Sequence, residues 1–406
     1  MKRNLMRLCA AFSSVVLLGA GMWSNPLSVQ AGQPEFTIKI ANSNAPFTNI
    51  NGQEVVDAIN AGCFAFKNYV EQVSGQRVQV EIYDSGVLGG SSEGLSQCMQ
   101  NVVQGCVTGD GELATLYPKL QVLSTPYLFE NRIEFYNMLD SQWMQDLFTN
   151  MRGELGIRLL AASDNGGFRS ISNSIKEVKT ASDLSGLKIR CMEIPAYTTM
   201  LESMGATATP IAWAELYTSL QTGVVDGQEN APTTIMNGSL QEVQKYYTLD
   251  QHSISSLVLM MNEEFYQSLP EDLKKIVTDG GFIAQQAMRG ANNTNEALAL
   301  QGLMDKGMQV YIPNAEEQAT FKTASQGPVL EWLKKEIGAD YVDSFMAAVD
   351  TAKKGEGGAT STVAAAETVA QTSSINTVTI MAIIVAAVAL LVAAFVVFKS
   401  KKEDTN

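Results

Sequence analysis

LSGLKIRCMEIPAYTTMLESMGATATPIAWAELYTSLQTGVVDGQENAPTTIMN, residues 184–237, is the stretch from which the fold can be read. Leu187, Ile189 and Cys191 alternate with Lys188, Arg190 and Met192, the period of a strand. Pro195 opens a helix at a position where its missing N–H costs nothing. Tyr197, Met200, Leu201 and Met204 follow at helical spacing, and Gly205 closes the segment. Trp213, Leu216, Tyr217 and Leu220 repeat that spacing in a second helix stopped by Gly223. A strand is expected at 224–228 with Asn230 just past its end, and a short one at 206–211. Strand, helix, helix and strand in this order are the grammar of an α/β domain. Arg190 stands near the C-terminal end of its strand, just before a helix, which is where open α/β sheets bind ligands. Helix N-termini at that edge favour anions, and a guanidinium adds a two-pronged donor matched to a carboxylate. A surface ion pair would use the same residue equally well.

The composition narrows the function. The chain has 406 residues, room for two lobes, and a formal net charge of −14. That charge argues against nucleic acid, whose binding rests on neutralising phosphates. An anionic ligand would have to be held by local positive groups against the overall field. His252 is the single histidine, so multi-histidine metal sites are excluded and histidine catalysis has one candidate. No cofactor is expected. Cys9 comes too early for a lipid-attachment box, and Cys63, Cys98, Cys106 and Cys191 could form disulfides in three full pairings or remain buried thiols.

Read from the start, residues 1–31 have a basic beginning (Lys2, Arg3, Arg7), an apolar run and a small-residue end, the pattern of a secretory signal peptide. Strands are expected at 36–41 and 78–83, a helix over most of 53–73, and another helix from the Gly89-Gly90-Ser91-Ser92 segment. Residues 107–117 return toward the sheet and turn, with Asp110 and Glu112 in the turn. A strand at 157–162, a turn at Asp164-Asn165-Gly166-Gly167 and a further strand carrying Arg169 come next. An apolar strand at 256–261 precedes a long helix from Leu269-Pro270 toward Leu303, then a strand at 308–312 and helices at 328–337 and 341–348. From 351 to 377 the chain is small and polar, a flexible linker. Residues 378–398 carry no charge, long enough to span a bilayer, and Lys399, Lys401 and Lys402 begin a tail at 399–406 that the positive-inside rule places in the cytoplasm. The folded part is thus expected on the outer face of the cytoplasmic membrane.

GLKIR, the W-A-E-L-Y helix start and LQTGVVDGQEN, with SGVLGG at 85–90, TPYLFEN at 125–131 and GFRSISNS at 167–174, resemble the solute receptors of TRAP (tripartite ATP-independent periplasmic) transporters. The resemblance covers about residues 36–352. It implies a two-lobed periplasmic-binding-protein-like α/β fold with a hinge and a long bridging helix. Lobe 1 would comprise 32–166 and 256–295, and lobe 2 would comprise 167–255 and 296–350. It further implies a receptor that closes on a small organic acid and delivers it to a membrane permease. Arg190 would grip the carboxylate, Arg169 would be a second cation, Asn230 a neutral donor and acceptor, Trp213 a cover for the apolar part, and Glu112 a polar pocket residue. The membrane anchor departs from most receptors of that family, as do Cys191 and Ala231-Pro232 after the motif.

Two rivals are open. An anchored receptor could present its ligand to a signalling partner, although the eight-residue tail carries no signalling domain. Gly90-Ser91-Ser92-Glu93-Gly94 fits the G-x-S-x-G of a serine esterase, with Asp226 and His252 following in hydrolase order. Ser92, however, lies nine residues beyond Tyr83, whereas a nucleophile elbow follows its strand at once.

Overall fold

The computed structural model describes residues 33–50 and 52–355. The expected leader, the span at 378–398 and the tail lie outside the described residues. The first part of the chain consists of β1 (Phe36–Ala41), a hairpin of β2 (Phe47–Ile50) and β3 (Gln53–Val56), α1 (Ala58–Val73), β4 (Val78–Tyr83), α2 (Ser91–Met99), β5 (Gly105–Gly109), α3 (Asp110–Leu116), α4 (Arg132–Leu139) and α5 (Gln142–Leu155). A 17-residue strand, β6 (Ile157–Asn173), leads into β7 (Lys188–Cys191), α6 (Pro195–Ser203), β8 (Thr207–Pro210), α7 (Trp213–Gln221), β9 (Gly227–Asn230) and α8 (Pro232–Asn237). A second 17-residue strand, β10 (Tyr246–Asn262), is followed by α9 (Glu263–Ser268), the 35-residue α10 (Glu271–Asp305), β11 (Gln309–Tyr311), α11 (Ala315–Ile337) and α12 (Ala339–Lys353).

One sheet joins the molecule in the order β4-β1-β5-β10-β6-β9-β7-β8, with β11 pairing β10. β4, β1 and β5 are mutually parallel, as are β9, β7 and β8, and each trio is the centre of one lobe. The antiparallel pair β6 and β10 lies between the trios and carries the chain from one lobe to the other. Their register shifts between Thr248 and Ser253 and between Ile254 and Ser256, so the pair bends where the lobes meet.

Burial explains the layers. Ile38 and Ile40 of β1 and Val78 and Val80 of β4 share a core with Phe66 and Val70 of α1 and with Ala284 and Met288 of α10. Farther along α10, Ala299 and Leu303 join Leu216, Leu220 and Ile235 in the second lobe's core. The helix thus bridges both lobes. Its seat is made by small residues: a Cβ on Gly281 would lie 2.5 Å from the Leu160 carbonyl oxygen, so only glycine allows this approach. A third core runs across both lobes, from Leu113 and Phe135 to Tyr197, Leu201, Phe321 and Phe345.

Several expectations are corrected. Residues 53–56 form β3 rather than the start of a helix, because Asp57 caps α1 and Asn60 N–H donates to its side chain. Asp110 and Glu112 lie in the first turn of a helix, not in a loop. The turn chemistry at 164–167 does not end the strand. Gly166 and Gly167 take φ of +83° and +112° inside a continuous β6, irregular rather than turned. β9 begins at Gly227, so Asn230 is its last residue rather than the one beyond it. α11 starts at Ala315, well before the expected 328, and holds Pro328 in its interior because burial of Phe321, Val329 and Leu333 outweighs one lost backbone bond. The boundaries at 166/167 and 255/256 fall within β6 and β10. α12, expected with lobe 2, packs on the first lobe: Trp143 of α5 lies against Tyr341 and Phe345, and Asn137 of α4 donates to the Ala352 carbonyl. That helix also carries the chain past 351, where the linker was expected to begin. Cys63, Cys98, Cys106 and Cys191 are buried free thiols.

Candidate functional site

The C-terminal ends of the parallel strands of both lobes open onto one cleft of about 310 Å³. Ser43 and Asn44 after β1, Ser85 after β4 and Asp110 after β5 line one wall. Arg190 and Met192 at the end of β7, Ile211 after β8 and Asn230 at the end of β9 line the other. This is the edge the strand-end rule selects. The five expected residues, Arg190, Arg169, Asn230, Trp213 and Glu112, all line the cleft.

Arg190 is 2% exposed. Its Nε donates to the Ile211 carbonyl at 2.8 Å, while Ile211 N–H donates to the Cys191 carbonyl, so the β7–β8 pairing fixes the guanidinium's direction. The two terminal nitrogens have no hydrogen-bond partner among the described residues, and no carboxylate forms an ion pair with them. Burial drives its pKa down to about 10, with neighbouring Arg169 adding to the effect and Glu229 opposing it. It is a charged group without a counterion among the described residues.

Among the described residues, Arg169 is paired where Arg190 is not. It is equally buried, but its charge is already answered: Nε donates to Glu229 Oε2 at 2.5 Å, and Nη2 donates to Glu229 Oε1 at 2.8 Å and to the Glu229 carbonyl at 2.7 Å. Nη1 reaches Ser255 Oγ at 3.3 Å, and the Tyr197 ring lies 5.5 Å from Cζ. Burial alone would raise the Glu229 carboxyl, but Arg169 and His252 outweigh it and hold it at about 2. His252 sits between Asp250 (Nδ1, 2.8 Å) and Glu229 (Nε2, 3.2 Å). Burial would lower its pKa, and the two carboxylates instead raise it to about 9. Tyr127 of the TPYLFEN segment donates to Asp250 at 3.1 Å and extends the chain of contacts. Two cations and two carboxylates thus balance beneath the cleft, and Arg190 is left over.

Asn230 donates one amide hydrogen to Gln228 Oε1 at 2.6 Å. Trp213 begins α7 and lies on Gly238 so closely that a Cβ there would be 2.8 Å from the indole Cη2. Glu112 Oε2 accepts from the Gly109 N–H at 3.1 Å. Asp110, 4% exposed, accepts from the Ser256 N–H at 2.8 Å, and burial raises its carboxyl to about 6.

Glu229, Asp250 and Tyr127 were not singled out from the sequence. Glu229 lies in the DGQEN motif, whose polar letters suggest a loop, yet β9 is buried at all four positions. The hydrolase constellation does not assemble. Ser92 lies in the cleft wall, His252 is tied to Asp250 and Glu229, and Asp226 accepts from the Lys188 N–H.

A solute-binding protein of Verminephrobacter eiseniae is 31% identical over 283 residues, 70% of this chain and 83% of that protein. The ectoine-binding periplasmic protein TeaA of Halomonas elongata is 28% identical over 68% of this chain and 85% of its own. A crystal structure of a TRAP periplasmic solute-binding protein from Polaromonas sp. JS666 bound to D-erythronate superposes with a TM-score of 0.70 at 29% identity, covering 77% of this chain and 98% of that one. Another, from Sulfitobacter sp. NAS-14.1 with bound β-D-galacturonate, gives 0.69 at 28% identity over 78% and 99%. Residues 57–336 match the model of bacterial extracellular solute-binding proteins, family 7, and the chain belongs to this family of TRAP solute receptors.

Proposed function

We propose that the chain binds a small organic acid between its lobes and delivers it to the membrane subunits of a TRAP-type permease. The observation that carries this is Arg190, a buried guanidinium with free terminal nitrogens facing a cleft. An uncompensated buried charge is unfavourable, so a carboxylate that enters and is desolvated against it gains more than it would in water. The ligand carboxylate lies on Arg190, Asn230 flanks it, Trp213 covers its apolar part, Glu112 faces it from the other lobe, and Arg169 is the pre-oriented second donor through Nη1. Closure about the bend in β6 and β10 then follows from the anion's higher affinity for the closed arrangement.

Relatives support the ligand class. A protein of Escherichia coli 26% identical to this chain is named for binding 2,3-diketo-L-gulonate, and one of Rhodobacter capsulatus, 27% identical, for binding C4-dicarboxylates. Isothermal titration calorimetry of the chain against a panel of such acids tests the proposal. Arg190→Ala is expected to weaken the best acid by roughly 3 kcal/mol, about a hundredfold, as a charge-assisted pair is broken. Unchanged affinity would remove Arg190 from the site.

The anchored state belongs to the same proposal. Among the described residues no helix is long and apolar enough to cross a membrane. The uncharged run at 378–398 with its lysines lies outside them, and its composition is what supports a tether to the outer face of the cytoplasmic membrane. Recovery of the mature protein wholly in the soluble envelope fraction would refute the tether.

A further inference from the structure

We infer that the cleft selects acids with a single carboxylate and a hydroxylated body, and rejects dicarboxylates, because the wall facing Arg190 is itself anionic. This rests on the reading of the cleft as an organic-acid site. Asp110 and Glu112, both from α3 of the first lobe, line the cleft that Arg190 lines from the second. Neither acid is free to swing away. Asp110 is 4% exposed and held by the Ser256 N–H, and Glu112 is held by the Gly109 N–H. Glu112 is near enough to Arg190 to favour the charged guanidinium. Glu193 adds a third carboxylate to the lining, two residues beyond Cys191.

The charge balance decides between ligands. A monocarboxylate neutralises the one unanswered cation and brings no further charge. A dicarboxylate places its second anion against Asp110 and Glu112 in a cleft from which water is being expelled. Like charges brought together at an interface are strongly disfavoured, and one such contact is expected to weaken binding on the order of a hundredfold. The remainder of the ligand must satisfy acceptors. The carboxylate oxygens accept hydrogen bonds, and Ser43, Asn44, Ser91 and Asn237 line the same cleft. Alcohol groups donate to the first and pair with the second. An ammonium group would answer the acids but could not donate and accept as a hydroxyl does beside the Ser43–Ser91 pair. The volume, about 310 Å³, is at the small end of the range for small-molecule sites, about 300–1,000 Å³, and suits an acid of a few carbons.

The test is calorimetry on the full chain with gluconate, galactonate, glucuronate and galacturonate, with succinate and glutarate, and with 5-aminopentanoate. The best hydroxylated monocarboxylate is expected to bind at least tenfold, and nearer a hundredfold, more tightly than either dicarboxylate. Asp110→Asn with Glu112→Gln is expected to narrow that ratio by tenfold or more. The wild-type ranking stands without the variant should the double substitution misfold. Succinate or glutarate binding within tenfold of the best monocarboxylate, and weakened by Arg190→Ala, would overturn the inference and leave the receptor reading intact. Tightest binding of 5-aminopentanoate would show that the acidic wall takes a cation and would overturn it equally. Binding of every acid unaffected by Arg190→Ala would overturn both readings together.

Discussion

Arg190→Met should make the empty protein more stable while destroying its capacity to bind. Burial holds the guanidinium at about 10 instead of 12.5, and at about 1.4 kcal/mol per pH unit this is a standing cost on the order of 3 kcal/mol at neutral pH. The side chain contributes one intramolecular hydrogen bond, from Nε to the Ile211 carbonyl. Losing that bond costs about 1 kcal/mol, because Ile211 lines an open cleft where water can replace the donor. Methionine fills a similar path with no charge to desolvate. The net expectation is a gain of about 1–2 kcal/mol, a rise in melting temperature of a few degrees. Urea denaturation of the chain freed of ligand by exhaustive dialysis measures it, with calorimetry showing the loss of binding alongside. Stability that falls by more than about 1 kcal/mol would refute the reasoning. It would mean that the structure already provides what Arg190 needs, so that the residue is not waiting for an anion. Stability and function would then be aligned at this position, where the geometry sets them against each other.

Two further outcomes follow from the buried cluster. Glu229→Gln leaves Arg169 and His252 without their shared counterion, so the empty protein should lose about 3–5 kcal/mol in a denaturant titration; a loss below about 1 kcal/mol would contradict the ion-pair geometry. Stability should also depend on pH in a stated window. Glu229, lowered from 4.5 to about 2, contributes fully above 4.5, and its contribution is lost as pH falls through 2. His252, raised from 6.5 to about 9, contributes fully below 6.5, and its contribution is lost as pH rises through 9. Asp110 opposes the acid side of this window, since its ionisation costs stability as pH rises from 3.8 to about 6. The melting temperature should therefore decline between pH 6.5 and 9, and His252→Gln should flatten that decline; a flat wild-type profile would refute the assignment.

The sequence by itself determined the alternation of strands and helices wherever apolar side chains recur at a period. β1 and β4 are legible at their observed limits, the helix opened by Pro195 begins where expected, and Arg190 falls near the C-terminal end of its strand as expected. Periodicity reports on one element and its own neighbours. Only the tertiary structure decided what β9 is. Gly227, Gln228, Glu229 and Asn230 include no apolar residue, yet all four are buried between β6 and β7. Their interior place is tolerable because a buried carboxylate and an amide find partners far away in sequence: Glu229 meets Arg169 across 60 residues, and Gln228 reaches Ser172 Oγ across 56. A buried charge is stable only when another element brings its counterion, and no local pattern encodes that meeting. The same long-range pairing answers the charge of Arg169 and leaves that of Arg190 open among the described residues, so two similar residues at one cleft differ in what they still lack.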